Sequence, residues 1–164
     1  PQIAGIDKAN VKDALQTLKA GDQVSGKRVV VLGGGKCGLV AAEYYASQNN
    51  RVSIVTSESK VDFDVSPTFK WRHAAWIKEF QIEVHTSATV TRILDGAVEF
   101  VGPQGKTTTV EADLVIVAAP RVADKKLFTE LEYVVDEIYI VGDALSPRGM
   151  HNAIHEGYRV GIRI

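Results

Sequence analysis

Val29-Val30-Val31-Leu32-Gly33-Gly34-Gly35-Lys36-Cys37-Gly38-Leu39-Val40-Ala41-Ala42 organises everything around it. Four apolar residues run straight into a glycine cluster, which opens into residues that favour helix. An apolar run without alternation suits a strand buried on both faces, as in a parallel sheet. Gly33, Gly35 and Gly38 match G-x-G-x-x-G in the strand-to-helix setting that this spacing requires. Each glycine meets a separate demand: Gly33 a sharp turn off the strand, Gly35 the approach of a diphosphate to bare backbone, Gly38 close seating of the helix on the sheet. At the helix N-terminus, unsatisfied N–H groups and the macrodipole favour an anion by roughly 0.3–2 kcal/mol, enough to orient a phosphate. Two alternatives stay open on these residues. One is a glycine-rich turn with no ligand. The other is an S-adenosylmethionine site, whose sheets also place glycines after the first strand.

The chain's 164 residues are enough for one domain with a real core. A formal net charge of −1 gives no pointer to nucleic acid or to an anionic membrane. A single cysteine excludes an internal disulfide and fits a reducing, cytoplasmic compartment. No apolar run approaches the roughly 18 residues of a membrane span. The chain starts at Pro1 and stops at Arg163-Ile164 inside a helical pattern with no stop signal, so a piece of a longer protein is expected.

Residues 1–26 read as an opening segment, extended over 1–9. A short helix is expected over Asn10–Lys19, capped at Asn10 or a neighbour, with Val11, Ala14, Leu15 and Leu18 as its stripe and Gly21 as its stop. Arg28–Leu32, a helix over about Lys36–Gln48 and Arg51–Thr56 then make a right-handed βαβ unit. Ser66 is expected to cap a further helix with Pro67 at its first position and with Phe69, Trp71, Trp76, Ile77 and Phe80 as its apolar side. Gln81–His85 is a short strand. Thr89–Ile93, Ala97–Val101 and Lys106–Val110 alternate, with Asp95-Gly96 as a two-residue hairpin signal, and so form an antiparallel meander. Leu114–Ala119 returns to the parallel sheet. Glu137–Val141 is expected as a last strand, followed by Gly142-Asp143-Ala144 and a helix from about Asn152 to the end.

In NAD sites an Asp or Glu at the end of the second strand accepts from the adenosine ribose. Here that position is Thr56, with Ser57 beside it, and neither is acidic. Glu58 falls in the following loop. Lys60 reads equally as a partner for a 2′-phosphate or as a solvated charge. Simple NAD preference is therefore disfavoured, and NADP or bare ADP compete. Asp62 and Asp64 lie in the polar loop 57–66, read as a solvated acidic stretch rather than a metal site.

The second signal is Ile138-Tyr139-Ile140-Val141-Gly142-Asp143-Ala144, a strand pattern ending in an Asp before a helix. Together with Val31–Glu43, the meander and Ala112-Asp113-Leu114-Val115-Ile116-Val117-Ala118, in that order, it resembles the pyridine nucleotide-disulfide oxidoreductase superfamily. Ser146-Pro147-Arg148 and Ala153–Arg159 bring it nearer to the C-terminal region of trimethylamine dehydrogenase and 2,4-dienoyl-CoA reductase type flavoproteins. The resemblance implies an α/β, Rossmann-like three-layer fold with a central parallel sheet and an antiparallel three-stranded β-meander. It implies an NAD(P)-binding domain over 27–120, and a strand and helix over 121–164 belonging to an adjoining FAD- or ADP-binding domain.

By the same resemblance Asp143 matches a flavin-ribityl aspartate, and Gly33, Gly35 and Gly38 match the nucleotide loop. The candidate cofactor contacts are Gly33, Gly34, Gly35, Lys36, Cys37, Gly38, Thr56, Ser57, Ala118, Gly142 and Asp143. The implied cofactors are NAD(P)H or ADP here, with FAD, FMN and a 4Fe–4S cluster in the full-length parent. The implied partners are a dinucleotide and the remainder of the flavoprotein. The family's flavin-binding glycine motif, FMN barrel and iron–sulfur cysteines are not in this sequence. Cys37 reads as a small residue packed near the strand, and one cysteine cannot run a disulfide reductase mechanism.

No acid–base catalytic residue and no metal set is expected. His73 reads as a partly buried helix residue. His151 and His155 share a helix face, but Glu156 follows them and no third ligand is evident. The tyrosines and arginines lack the basic-aromatic interleave of a nucleic-acid binder. Two functions remain: positioning a nicotinamide for hydride transfer to a flavin held elsewhere, or a non-catalytic module that holds ADP or nothing.

Overall fold

The protein's structure, a computed structural model, describes residues 2–118 and 120–164. Pro1 and Ala119, the ends of two expected segments, lie outside the described residues. The chain divides into two compact units, Pro1–Ala119 and Pro120–Ile164.

The first unit is built on β2 (Arg28–Leu32), whose side chains alternate between two cores. Val29 and Val31 face a helical layer, while Val30 and Leu32 face a second sheet. Burial on both sides explains the unbroken apolar run, each such side chain contributing about 1.5–3 kcal/mol on full burial. β1 (Val11–Asp13), β3 (Arg51–Val55), β4 (Glu83–His85) and β8 (Leu114–Val117) join β2 in a parallel sheet ordered β1-β8-β2-β3-β4. β1 and β4 are the edge strands, and β1 pairs Val11 with Val115.

α1 (Ala14–Ala20), α2 (Lys36–Ala46) and α3 (Pro67–Glu79) supply the helical layer. The other face carries the meander of β5 (Thr89–Leu94), β6 (Ala97–Val101) and β7 (Thr107–Glu111), through Ile93, Val98 and Phe100. The three layers are therefore helices, parallel sheet and antiparallel sheet, as the resemblance implies. The Asp95-Gly96 hairpin holds Leu94 opposite Ala97.

Several local expectations are corrected. The first helix begins at Ala14, with Asp13 as its cap, because Val11–Asp13 is drawn into the sheet by β8. Leu15 is consequently half exposed. Ser66 makes no side-chain cap to α3, and Phe69 and Trp71 point outward. His73 is buried, and its Nδ1 lies 2.6 Å from Glu43 Oε1, tying α3 to α2. Burial holds the Glu43 carboxyl above its ordinary pKa, against the opposing pull of His73.

The second unit holds α4 (Lys126–Leu131), a 3₁₀ turn at Gly142–Ala144 and α5 (Met150–Gly161). Glu137–Val141 is not a strand: no ladder partner stands beside it among the described residues, and a strand exists only as part of a pair. Met150, Ile154, Tyr158 and Ile162 recur every four residues along α5 and its cap, and all are exposed.

Candidate functional site

The register of the parallel sheet builds the site's floor. Leu32 is level with Val55 and Val117, so the next residues, Gly33, Thr56 and Ala118, form a row at the carboxyl edge. From β2 the chain moves through α2 to β3 on one side, while β8 lies on the other. This is the switch point at which open α/β sheets take ligands.

Gly33 has φ +123°, and a Cβ there would lie 2.5 Å from the Ala118 carbonyl oxygen. A Cβ on Gly38 would overlap the Gly33 carbonyl oxygen, so the first turn of α2 rests directly on the strand's end. Both glycines thus play the backbone roles expected of them. Gly35 is the N-cap of α2 and has no side chain to satisfy the helix's first N–H groups.

A carboxylate from elsewhere does so. The Lys36 backbone N–H donates to Asp64 Oδ1 at 2.6 Å. A Cβ on Gly35 would stand 3.1 Å from Asp64 Oδ2 and 3.2 Å from the Phe63 ring. The space in front of Gly35 is therefore occupied by the Asp64 carboxylate and the Phe63 ring. The loop 57–66 is accordingly not a freely solvated acidic stretch. Asp62 N–H donates to the Gly34 carbonyl at 2.9 Å, and Lys70 Nζ donates to the Asp62 carbonyl and to its Oδ1 at 2.8 and 2.9 Å. Val65 is buried in the helical core.

The other expected residues divide. Thr56 is buried: its N–H donates to the His85 carbonyl at 2.9 Å, and its methyl carbon lies 2.9 Å from where a Gly34 Cβ would stand. Ser57 is exposed beside it. Ala118 is half buried and its N–H donates to the Leu32 carbonyl at 2.9 Å. Cys37 is exposed on the first turn of α2, not packed near the strand, since Gly38 and Leu39 take the inward positions.

Gly142 and Asp143 belong to the second unit. Asp143 Oδ2 accepts from Arg121 Nη1 at 2.6 Å, and Gly142 N–H donates to Glu156 Oε2 at 2.8 Å. Glu156 also pairs with Arg148, so it holds the turn to α5 rather than serving a metal. His151 and His155 pack edge to face on the same helix. Among the described residues there is no cluster of three or more His, Cys, Asp or Glu able to hold a metal ion. No described helix is long and apolar enough to cross a membrane.

Residues 1–157 match the pyridine nucleotide-disulphide oxidoreductase family. The chain belongs to this family. The methyltransferase alternative falls with that membership. The chain is similar to an NADH oxidase from Thermoanaerobacter brockii, at 27% identity, covering 100% of this chain and 26% of that protein. It is similar to the solved structure of 2-naphthoyl-CoA reductase in complex with 2-naphthoyl-CoA, at 32% identity and a TM-score of 0.86, covering 100% of this chain and 25% of that one. Histamine dehydrogenase from Rhizobium sp. 4-9 superposes at 25% identity and a TM-score of 0.79, over 92% of this chain and 24% of that one. The chain spans about a quarter of the length of the curated relatives it matches.

Asp64 and Phe63 were not legible as site residues. The Asp64–Lys36 contact spans 28 residues, and no local pattern marks it.

Proposed function

We propose that this chain is the nucleotide-binding part of a flavin-dependent oxidoreductase, seating NAD(P)H so that hydride passes to a flavin held elsewhere in the protein. The observation that supports this reading is the close-packed Gly33–Gly38–Ala118 edge at the switch point of the parallel sheet. The nicotinamide, when bound, supplies the hydride. The chain's own residues bind and orient: Gly34, Gly35, Lys36, Cys37 and Gly38 offer main chain to the diphosphate, while Ser57 and the Thr56 main chain border the adenosine side. No side chain here is asked to move a proton.

Residues 121–164 are assigned to an adjoining FAD- or ADP-binding domain, with Gly142 and Asp143 toward the flavin. The exposed apolar row on α5 supports a further body of protein covering it. FMN and a 4Fe–4S cluster would belong to that remainder.

One observation favours a second reading, a non-catalytic ADP-binding or structural module. The position for a ribose-binding acid is Thr56, and its side chain is buried beneath Gly34. Calorimetric titration of the intact protein with NADH, NADPH and ADP separates the two. Tighter binding of a reduced dinucleotide than of ADP is expected. Equal or tighter binding of ADP transfers the assignment to the second reading.

A further inference from the structure

The loop between β3 and α3 does more than border the glycine turn. It is fastened at Asp62, whose N–H donates to the Gly34 carbonyl and whose carbonyl and carboxylate accept from Lys70 of α3. Val61 packs against the helical core and Val65 is buried in it. Asp62 takes a left-handed φ of 65°, and the chain then delivers Asp64 onto the Lys36 N–H and Phe63 against Gly35. A carboxylate on the first N–H of a helix makes the charge-assisted bond that a phosphate would make.

We propose that Asp64 is an internal substitute for the ligand's phosphate, an autoinhibitory contact that an incoming diphosphate must displace. The proposal rests on the reading of the glycine loop as an anion site. A diphosphate at the same helix N-terminus is repelled by the Asp64 carboxylate and competes with it for the Lys36 N–H. Binding therefore requires the loop to release Asp64, and the apparent affinity falls by the fraction of molecules in which it is released. Phe63 moves with the same span, so opening also uncovers Gly35. The anchors at Val61, Val65 and Lys70 set how much of the population is open.

The test measures binding of inorganic pyrophosphate and of NADPH to the intact protein, as wild type, Asp64→Ala and Asp64→Asn. Alanine removes the competing anion, and asparagine keeps an acceptor for Lys36 without the charge. Pyrophosphate is expected to bind the alanine variant at least ~10-fold more tightly than wild type, about 1.4 kcal/mol, with asparagine in between. Should the alanine variant not fold, the asparagine variant alone must still tighten binding. In wild type the Lys36 amide resonance is expected to shift on adding pyrophosphate. Equal pyrophosphate affinity in all three proteins overturns the proposal. Tighter pyrophosphate binding by the variants, with NADPH binding no better than pyrophosphate, upholds the autoinhibitory contact and removes the dinucleotide reading instead.

Discussion

The backbone N–H of Lys36 donates to the Asp64 carboxylate at 2.6 Å, so α2 is capped by a loop that follows the next strand rather than by its own N-cap residue, Gly35. The bond satisfies one of the helix's exposed N–H groups and sets a negative charge at the positive end of its dipole. Asp64→Ala is expected to lower folding stability by about 1 kcal/mol, the usual cost of a lost cap. Urea denaturation checks it, and no change in midpoint would show that the contact does not stabilise the helix.

Gly38 and Gly157 are both helical glycines with opposite surroundings. A Cβ on Gly38 overlaps the Gly33 carbonyl oxygen, whereas one on Gly157 meets nothing within 4 Å. Gly38→Ala is expected to cost about 3 kcal/mol or more through backbone displacement. Gly157→Ala should stabilise α5 by up to about 1 kcal/mol. Paired thermal melts of the two variants decide this, and similar effects of like sign would contradict the packing described.

Glu43 and His73 form a pair buried between α2 and α3. His73→Ala strands the carboxylate and is expected to cost about 3–5 kcal/mol. Burial raises the Glu43 pKa above 4.5 in the folded state. The native protein then holds the proton more tightly than the unfolded chain, so this contribution to stability is complete below pH 4.5 and is lost as pH rises through the elevated value. Stability curves of wild type and Glu43→Gln should therefore diverge above that pH, with glutamine sparing the protein the decline. Parallel curves across pH 4–8 would refute it.

Arg28 and Asp113 join the starts of β2 and β8. The guanidinium donates to both carboxylate oxygens, at 2.6 and 3.0 Å, and the Arg28 N–H donates at 2.9 Å. These bonds hold Asp113 well below its ordinary pKa of 3.8. A depressed folded-state pKa gives stability that is present above 3.8 and lost as pH falls below it. Asp113→Asn should therefore destabilise at neutral pH and converge on wild type in strong acid. Acid titration of both proteins by circular dichroism reads the convergence.

Sequence made the centre of this fold legible because its signals are local. β2 is recognisable from its four apolar residues and glycine turn, and the β5–β6 hairpin from Asp95-Gly96. The failures share a physical cause, dependence on a distant partner. Val11–Asp13 carries a helical pattern yet becomes strand because β8 lies beside it, about a hundred residues away. Glu137–Val141 has a strand's composition and no neighbour to pair with among the described residues. Asp64 resembles any loop acid until the loop's closure sets it on Lys36. The glycine spacing outlined the candidate site, and the residue that fills its centre came from long-range geometry.

On the function proposed above, the backbone from Gly33 to Gly38 receives a dinucleotide diphosphate. A crystal structure of the intact protein saturated with NADPH tests it most directly. The diphosphate is expected within hydrogen-bond distance of the Lys36 N–H, with Asp64 withdrawn from it. Bound nucleotide elsewhere on the protein, with Asp64 still on Lys36, would contradict it.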